Sequence, residues 1–468
     1  RKQRGYQRKR QQQRRLGEMG MLYELPSSAS ASAWPEGIGY ICAQSEKDLH
    51  MPIPVLPGIN VLTLGVVGTG KTSSYTLPAA DILLKKQPET KAVFFEIKHS
   101  FIDHFMGPKD KVITHHASGF SHHQLFIPCL IKEIRQAADH EGEMRQLAEF
   151  LFAELLDGAD QNRGWIEAAR NAFIGILRVI VDGYPDADTG NGTLVHALRN
   201  MTTSELLHYL AKHPRNHSLL RKDFGFDPAH PDRYQNNRRS EDIMFFFNQV
   251  LEKFSGVFEM NGEDTIHDFL HDHYGRNLFL LYDLAAAESC RPFMLYYLKK
   301  LKDEQMSAQR SAHRPMLWVM DEIDKMADGT KTADFGLFQA ANLGREYGLQ
   351  ILLTTQSIEN LYGLSKDYNA HTTIGGLAGF PMMLAFRTND PSTVSALQTL
   401  FGSGYHRRMI LPASRLDSIV IKEDREPLVS DSAFASLDIG ECYVKIMSDH
   451  PRKVKILYDE RKGGGYAL

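Results

Sequence analysis

Apolar residues gather in short unbroken runs at "GINVLTLG", "KAVFFEIK" (Lys91–Lys98), "KVITHHA", "RNLFLLYDL" (Arg276–Leu284), "MLWVMDE" (Met316–Glu322), "LQILLTTQS" (Leu349–Ser357) and "MMLAFRT" (Met382–Thr388). Runs this short, without alternation, predict strands buried on both faces. Helical patterns separate them, which predicts an α/β fold: a mostly parallel sheet with helices on both sides. Between about Lys132 and Asp272 no strand pattern occurs. "EMRQLAEFLFAELL" and "WIEAARNAFIGILRVIVDGY" repeat apolar residues at three- and four-residue spacing, and "TTSELLHYLAKH" opens with a capping signal, Thr202 or Thr203 before Glu205. "DGYPDADTGNG" and "DPAHPDRYQNNRRS" read as loops. This stretch is predicted to be an all-α insertion.

The ends complete the plan. "SSASASA" is a small-residue linker, "GIGYICA" a short strand, and "ECYVKIMSDHPRKVKILYDE" a hairpin turning at Asp449–Pro451. The expected division is a basic segment and linker (1–34), a first part of the core domain (35–131), the helical insertion (132–274) and the second part of the core (275–468). No internal repeat is visible.

Composition changes this picture little. With 43% hydrophobic and 24% charged residues the chain is an ordinary globular protein. Cys42, Cys129, Cys290 and Cys442 are scattered and form no CxxC pair, against a disulfide framework or zinc ribbon. Charge is more informative. The opening "RKQRGYQRKRQQQRR" holds eight basic residues and no acid, so a net −3 leaves −11 on the remainder. A basic surface for nucleic acid must therefore be local. The chain begins with Arg, not Met, and reads as a fragment; no stretch approaches a membrane span. A dense Lys/Arg block fits the cytoplasmic flank of a membrane helix, and equally a solvated basic tail.

The chemistry starts at "GVVGTGKT". It fits GxxxxGK(S/T), follows a buried strand and opens a helix. Gly65, Gly68, Thr69 and Gly70 would let backbone N–H groups face phosphates, and Ser73 lies at the helix start. Lys71 should reach the β- and γ-phosphates, and Thr72 should ligate Mg²⁺. Pro78 should bend or shorten the helix that follows. "MLWVMDE" ends in adjacent acids: Asp321 would hold Mg²⁺ through water, and Glu322 would polarise the attacking water. Gln356, at the end of the following strand, suits a γ-phosphate sensor. Arg345 is either a group reaching a neighbouring subunit's phosphates or an ordinary solvated arginine. Lys98 ends a strand expected beside the P-loop strand; an ion pair with Glu96 explains it as well. His115–His116, His122–His123 and His267/His271 have neither an HExxH pattern nor a cysteine partner, so the sequence offers no zinc motif. No Asn-Lys-x-Asp guanine reader occurs, which favours ATP.

A strand between the P-loop and acidic strands, the adjacent Glu and the downstream Gln together indicate a RecA-like motor ATPase. On "GVVGTGKTSSYTLPAADIL", "FFEIKHS", "NLFLLYDL", "LWVMDEIDKM", "LGREYGLQILLTTQS" and "FRTNDPSTVSALQTLFG", the chain resembles the coupling proteins (TraG/TraD-like ATPases) of type IV secretion and conjugation, within the FtsK–HerA group. That resemblance implies a RecA-like P-loop NTPase domain with an inserted all-α domain, ATP and Mg²⁺ as ligands, and a homo-hexameric ring on the cytoplasmic face of the bacterial inner membrane. It also implies N-terminal membrane helices absent from this sequence. The implied partners are single-stranded DNA, a relaxase or protein effectors, and inner-membrane secretion components. Val66-Val67 stand where Pro-Thr or Pro-Ser is frequent, and "FEIKHS" replaces a common Asp-x-Lys-Gly-Glu pattern. Two alternatives differ in class: a DNA-processing or defence translocase without a secretion partner, and a docking platform for protein cargo.

Overall fold

The computed structural model describes residues 35–45, 50–159, 161–184, 189–307, 314–327, 334–362, 364, 375–410 and 420–457. The basic segment and linker expected over 1–34 lie outside them.

Fourteen strands are present among the described residues. The first six are β1 (Gly39–Ile41), β2 (Ala43–Ser45), β3 (Ile53–Val55), β4 (Val61–Leu64), β5 (Lys91–Glu96) and β6 (Lys111–Ile113). After a long helical stretch come β7 (Asn277–Leu281), β8 (Met316–Asp321), β9 (Leu349–Thr355) and β10 (Met382–Ala385). β11 (Ser403–Ile410), β12 (Val420–Pro427), β13 (Glu441–Ile446) and β14 (Arg452–Ile456) follow. Ten form one sheet in the order β2-β14-β13-β10-β4-β9-β8-β5-β7-β6. From β10 to β6 the pairs are parallel; β13, β14 and β2 extend one edge antiparallel.

The unbroken apolar runs have the expected cause. Along β5 every residue is buried, and successive side chains enter opposite cores. Val93 and Phe95 join the core beneath the helical insertion, whereas Ala92 and Phe94 join the one under the helix Leu77–Lys86. Burying each such aromatic contributes roughly 1.5–3 kcal/mol. Between β6 and β7 the chain is helical, with long members at His140–Asp157, Arg163–Gly183 and Arg238–Glu252. Side chains cap the first and third of these, Asp139 accepting from Gly142 N–H and Asn237 from Ser240 N–H, and at the shorter helix Thr203–Ala211 Thr202 and Glu205 form a reciprocal box. The insertion's core is continuous with one sheet face, through the helix Ala287–Gln305.

Four details differ from the sequence reading. β5 pairs with β8 and β7, not with β4, so Lys98 does not end a strand next to the P-loop strand. A parallel sheet can be threaded in several orders by the same run of strands, and the pattern does not choose. "KVITHHA" is strand only to Ile113, which leaves its two histidines beyond the sheet edge. The segment after the P-loop begins as a π-turn, Thr72–Thr76, before the α-helix Leu77–Lys86. That wider turn accommodates Pro78, which has no N–H for a regular ladder. Finally, the antiparallel β11–β12 hairpin was not anticipated.

Candidate nucleotide-binding site

β4, β9 and β8 deliver their C-terminal ends side by side, and the candidate residues gather there. The P-loop leaves β4 through Gly65, and its turn requires positive φ at Gly68 (79°) and Gly70 (90°). A Cβ at Gly70 would also stand 2.7 Å from Ser74 Oγ, so a side chain there would distort the turn. Lys71 is buried; its ammonium donates to the carbonyls of Gly65 (2.5 Å) and Val66 (3.0 Å), and burial lowers its pKa. Thr69 Oγ1 donates to Val66 O at 2.8 Å. Ser74 N–H closes on Gly70 O at 2.7 Å, and Ser73 lies at the start of the π-turn.

Opposite the loop, Thr72 Oγ1 donates to both Asp321 oxygens, at 3.1 and 3.2 Å. Burial, aided by the neighbouring Glu322, pushes the Asp321 pKa up to about 6. A hydroxyl and a half-buried carboxylate held together, with a second acid adjacent, form an oxygen-donor set that fits Mg²⁺. Glu322 has left-handed backbone geometry, φ 54° and ψ 35°, which is uncommon for a non-glycine residue. Gln356 Nε2 donates to Glu322 Oε1 at 2.7 Å, and Lys98 Nζ lies 3.9 Å from the same oxygen. Thr76 and Thr354 hydroxyls meet at 3.0 Å beneath the site.

Lys98 thus has its ion-pair partner in Glu322 and not in Glu96. Both Glu96 oxygens are engaged by backbone donors, Phe101 N–H and Ile102 N–H, each at 2.9 Å. Burial nevertheless pushes the Glu96 pKa up to about 7. A folded-state pKa above the unfolded value means that Glu96 lends stability below about 4.5 and loses it as pH rises toward about 7. The melting temperature of Glu96→Gln relative to wild type should thus climb between those limits and level off above them. A pH-independent difference in thermal melts would contradict this.

Arg345 is not brought to this cluster. It is exposed and precedes β9, whose seven residues separate it from Gln356; at roughly 3.3 Å per residue that is about 20 Å. Two contacts escaped the sequence reading. Arg387 O, after β10, accepts from Val66 N–H at 2.9 Å, and Gly440 N–H donates to Thr69 O at 3.2 Å. The C-terminal quarter thus buttresses the P-loop through backbone groups, which leave no residue-type signal.

A P-loop on a parallel sheet, with an acidic pair one strand beyond its neighbour and a Gln on the strand between, defines a RecA-like P-loop NTPase fold. The chain belongs to the type IV secretion-system coupling proteins: the model of their DNA-binding domain matches residues 58–456. Solved structures agree on the fold. A bacterial conjugative coupling protein, TrwBdeltaN70, is similar at a TM-score of 0.64 and 18% identity, over 88% of each chain. TrwB in complex with ADP and Mg²⁺ gives 0.63 at 18% identity, over 86% of each. VirB4 of Thermoanaerobacter pseudethanolicus gives 0.54 at 13% identity, over 93% of this chain and 100% of that one. A search of curated protein sequences found no match. Among the described residues no helix is long and apolar enough to cross a membrane.

Proposed function

We propose that this chain is an ATP-hydrolysing motor that recruits single-stranded DNA, with an attached relaxase, or protein cargo, and drives it into a type IV secretion channel at the inner membrane. The observation that carries the reading is the pair of contacts at the C-terminal ends of the central strands, Thr72 with Asp321 and Gln356 with Glu322, in a chain of the coupling-protein family.

In this reading the loop from Gly65 to Gly70 presents N–H groups to the ATP phosphates. Lys71 exchanges its two loop carbonyls for phosphate oxygens. Thr72 and Asp321 hold Mg²⁺, which supplies charge neutralisation at the phosphates. Glu322 orients and deprotonates water. Gln356, already on Glu322, links that carboxylate to the γ-phosphate. Lys98, close to the same oxygen, helps hold the Glu322 side chain in place. Arg345 serves a neighbouring copy in a hexameric ring, since its own site is out of reach. The ADP–Mg²⁺ complex of TrwB supports the choice of ligands.

Motion along DNA calls for contacts to phosphate rather than bases. Fluorescence anisotropy with labelled single strands tests this. Affinity should be equal for unrelated sequences and fall steeply as salt rises. Absent binding, or binding indifferent to salt, would contradict it.

A further inference from the structure

We propose that His115, His116 and Asp283 form a Zn²⁺ site at the seam between the sheet and the helical insertion, separate from the nucleotide site. The two histidines follow β6 and Asp283 follows β7, so neighbouring parallel strands deliver all three to one edge. One ring nitrogen from each histidine and a carboxylate oxygen lie within 4.8 Å of one another. His116 Nε2 is 3.0 Å from Asp283 Oδ2, and the two imidazoles stand perpendicular with centroids 4.5 Å apart. His116 is the exposed member of the set.

The surroundings of each ligand support a metal rather than a chance cluster. His115 Nε2 meets Ser255 Oγ at 3.0 Å, while its Nδ1 is shielded from solvent and has no hydrogen-bond partner. A ligating histidine commonly gives its second nitrogen to an oxygen, which fixes the ring. Ser255 fills that role and leaves Nδ1 to coordinate. Asp283 is fixed in the same way: its Oδ1 accepts from Ala285 N–H at 2.8 Å, which leaves Oδ2 for the ion. Two imidazoles and a carboxylate suit a borderline ion such as Zn²⁺ and leave a position for water. The all-oxygen Thr72–Asp321 pair instead suits Mg²⁺.

The site's place gives it a consequence. His115 O accepts from Val257 N–H at 3.0 Å, and a Cβ on Gly256 would come within 2.3 Å of that carbonyl. The insertion therefore presses directly on a ligand residue. An ion here braces the insertion against the C-terminal ends of β6 and β7, at the same end of the parallel strands as the P-loop after β4.

The test is Zn²⁺ titration by calorimetry, with Co²⁺ absorption alongside, on the metal-stripped full chain in excess Mg²⁺ and without nucleotide. One equivalent should bind at micromolar affinity or better. His116→Ala and Asp283→Asn should each weaken it by about tenfold or more. Changing His122 and His123 to Ala should leave it unchanged. The exposed His116 tolerates truncation, and Asn at 283 keeps the backbone cap, so both variants should fold. Absent Zn²⁺ uptake, or uptake unaltered by His116→Ala, would overturn the proposal.

Discussion

Replacing Glu322 with Gln should leave ATP binding intact and lower turnover by about 100-fold or more, the range over which a positioned general base contributes. The argument rests on position and charge. Glu322 adjoins the residue facing Thr72, and its carboxylate is held by Gln356 at 2.7 Å with Lys98 nearby. Gln keeps the size and a hydrogen-bonding oxygen but cannot take a proton. Binding of a fluorescent ATP analogue should match wild type while steady-state phosphate release collapses. Equal loss of binding and turnover would show that Glu322 shapes the pocket instead.

Lys71→Ala should act one step earlier. Its ammonium is buried against the loop carbonyls and is the charge positioned for the phosphates. Each charge-assisted hydrogen bond contributes roughly 1.5–3 kcal/mol, so loss of two should weaken nucleotide binding by about 100-fold or more. The fold should survive, because Gly65 and Val66 carbonyls can turn to water. Nucleotide affinity read by calorimetry, with a thermal melt as control, separates the outcomes. Undiminished affinity would remove Lys71 from the phosphate site.

The sequence was most legible where one residue type has one use. Gly68 and Gly70 need positive φ, Lys71 and Thr72 follow them at fixed spacing, and the fully apolar run of β8 ends at Asp321. Those features led to the fold and to the candidate residues that β4, β8 and β9 bring together. Strand order was not legible, because β4 and β5 are both short, fully buried runs and neither names its neighbour. Lys98 was therefore placed beside the wrong strand, although its position next to Glu322 suits the site better than a pairing with Glu96. Backbone contacts such as Gly440 to Thr69 have no sequence signature. The His115, His116 and Asp283 cluster was hidden for a related reason: the whole helical insertion separates its members along the chain.

The central claim is that ATP hydrolysis at this site is tied to DNA. Steady-state phosphate release with and without single-stranded DNA, for wild type and Glu322→Gln, tests it most directly. The account predicts stimulation of wild type by DNA and none in the variant. Hydrolysis indifferent to DNA, or stimulated equally in both proteins, would contradict it.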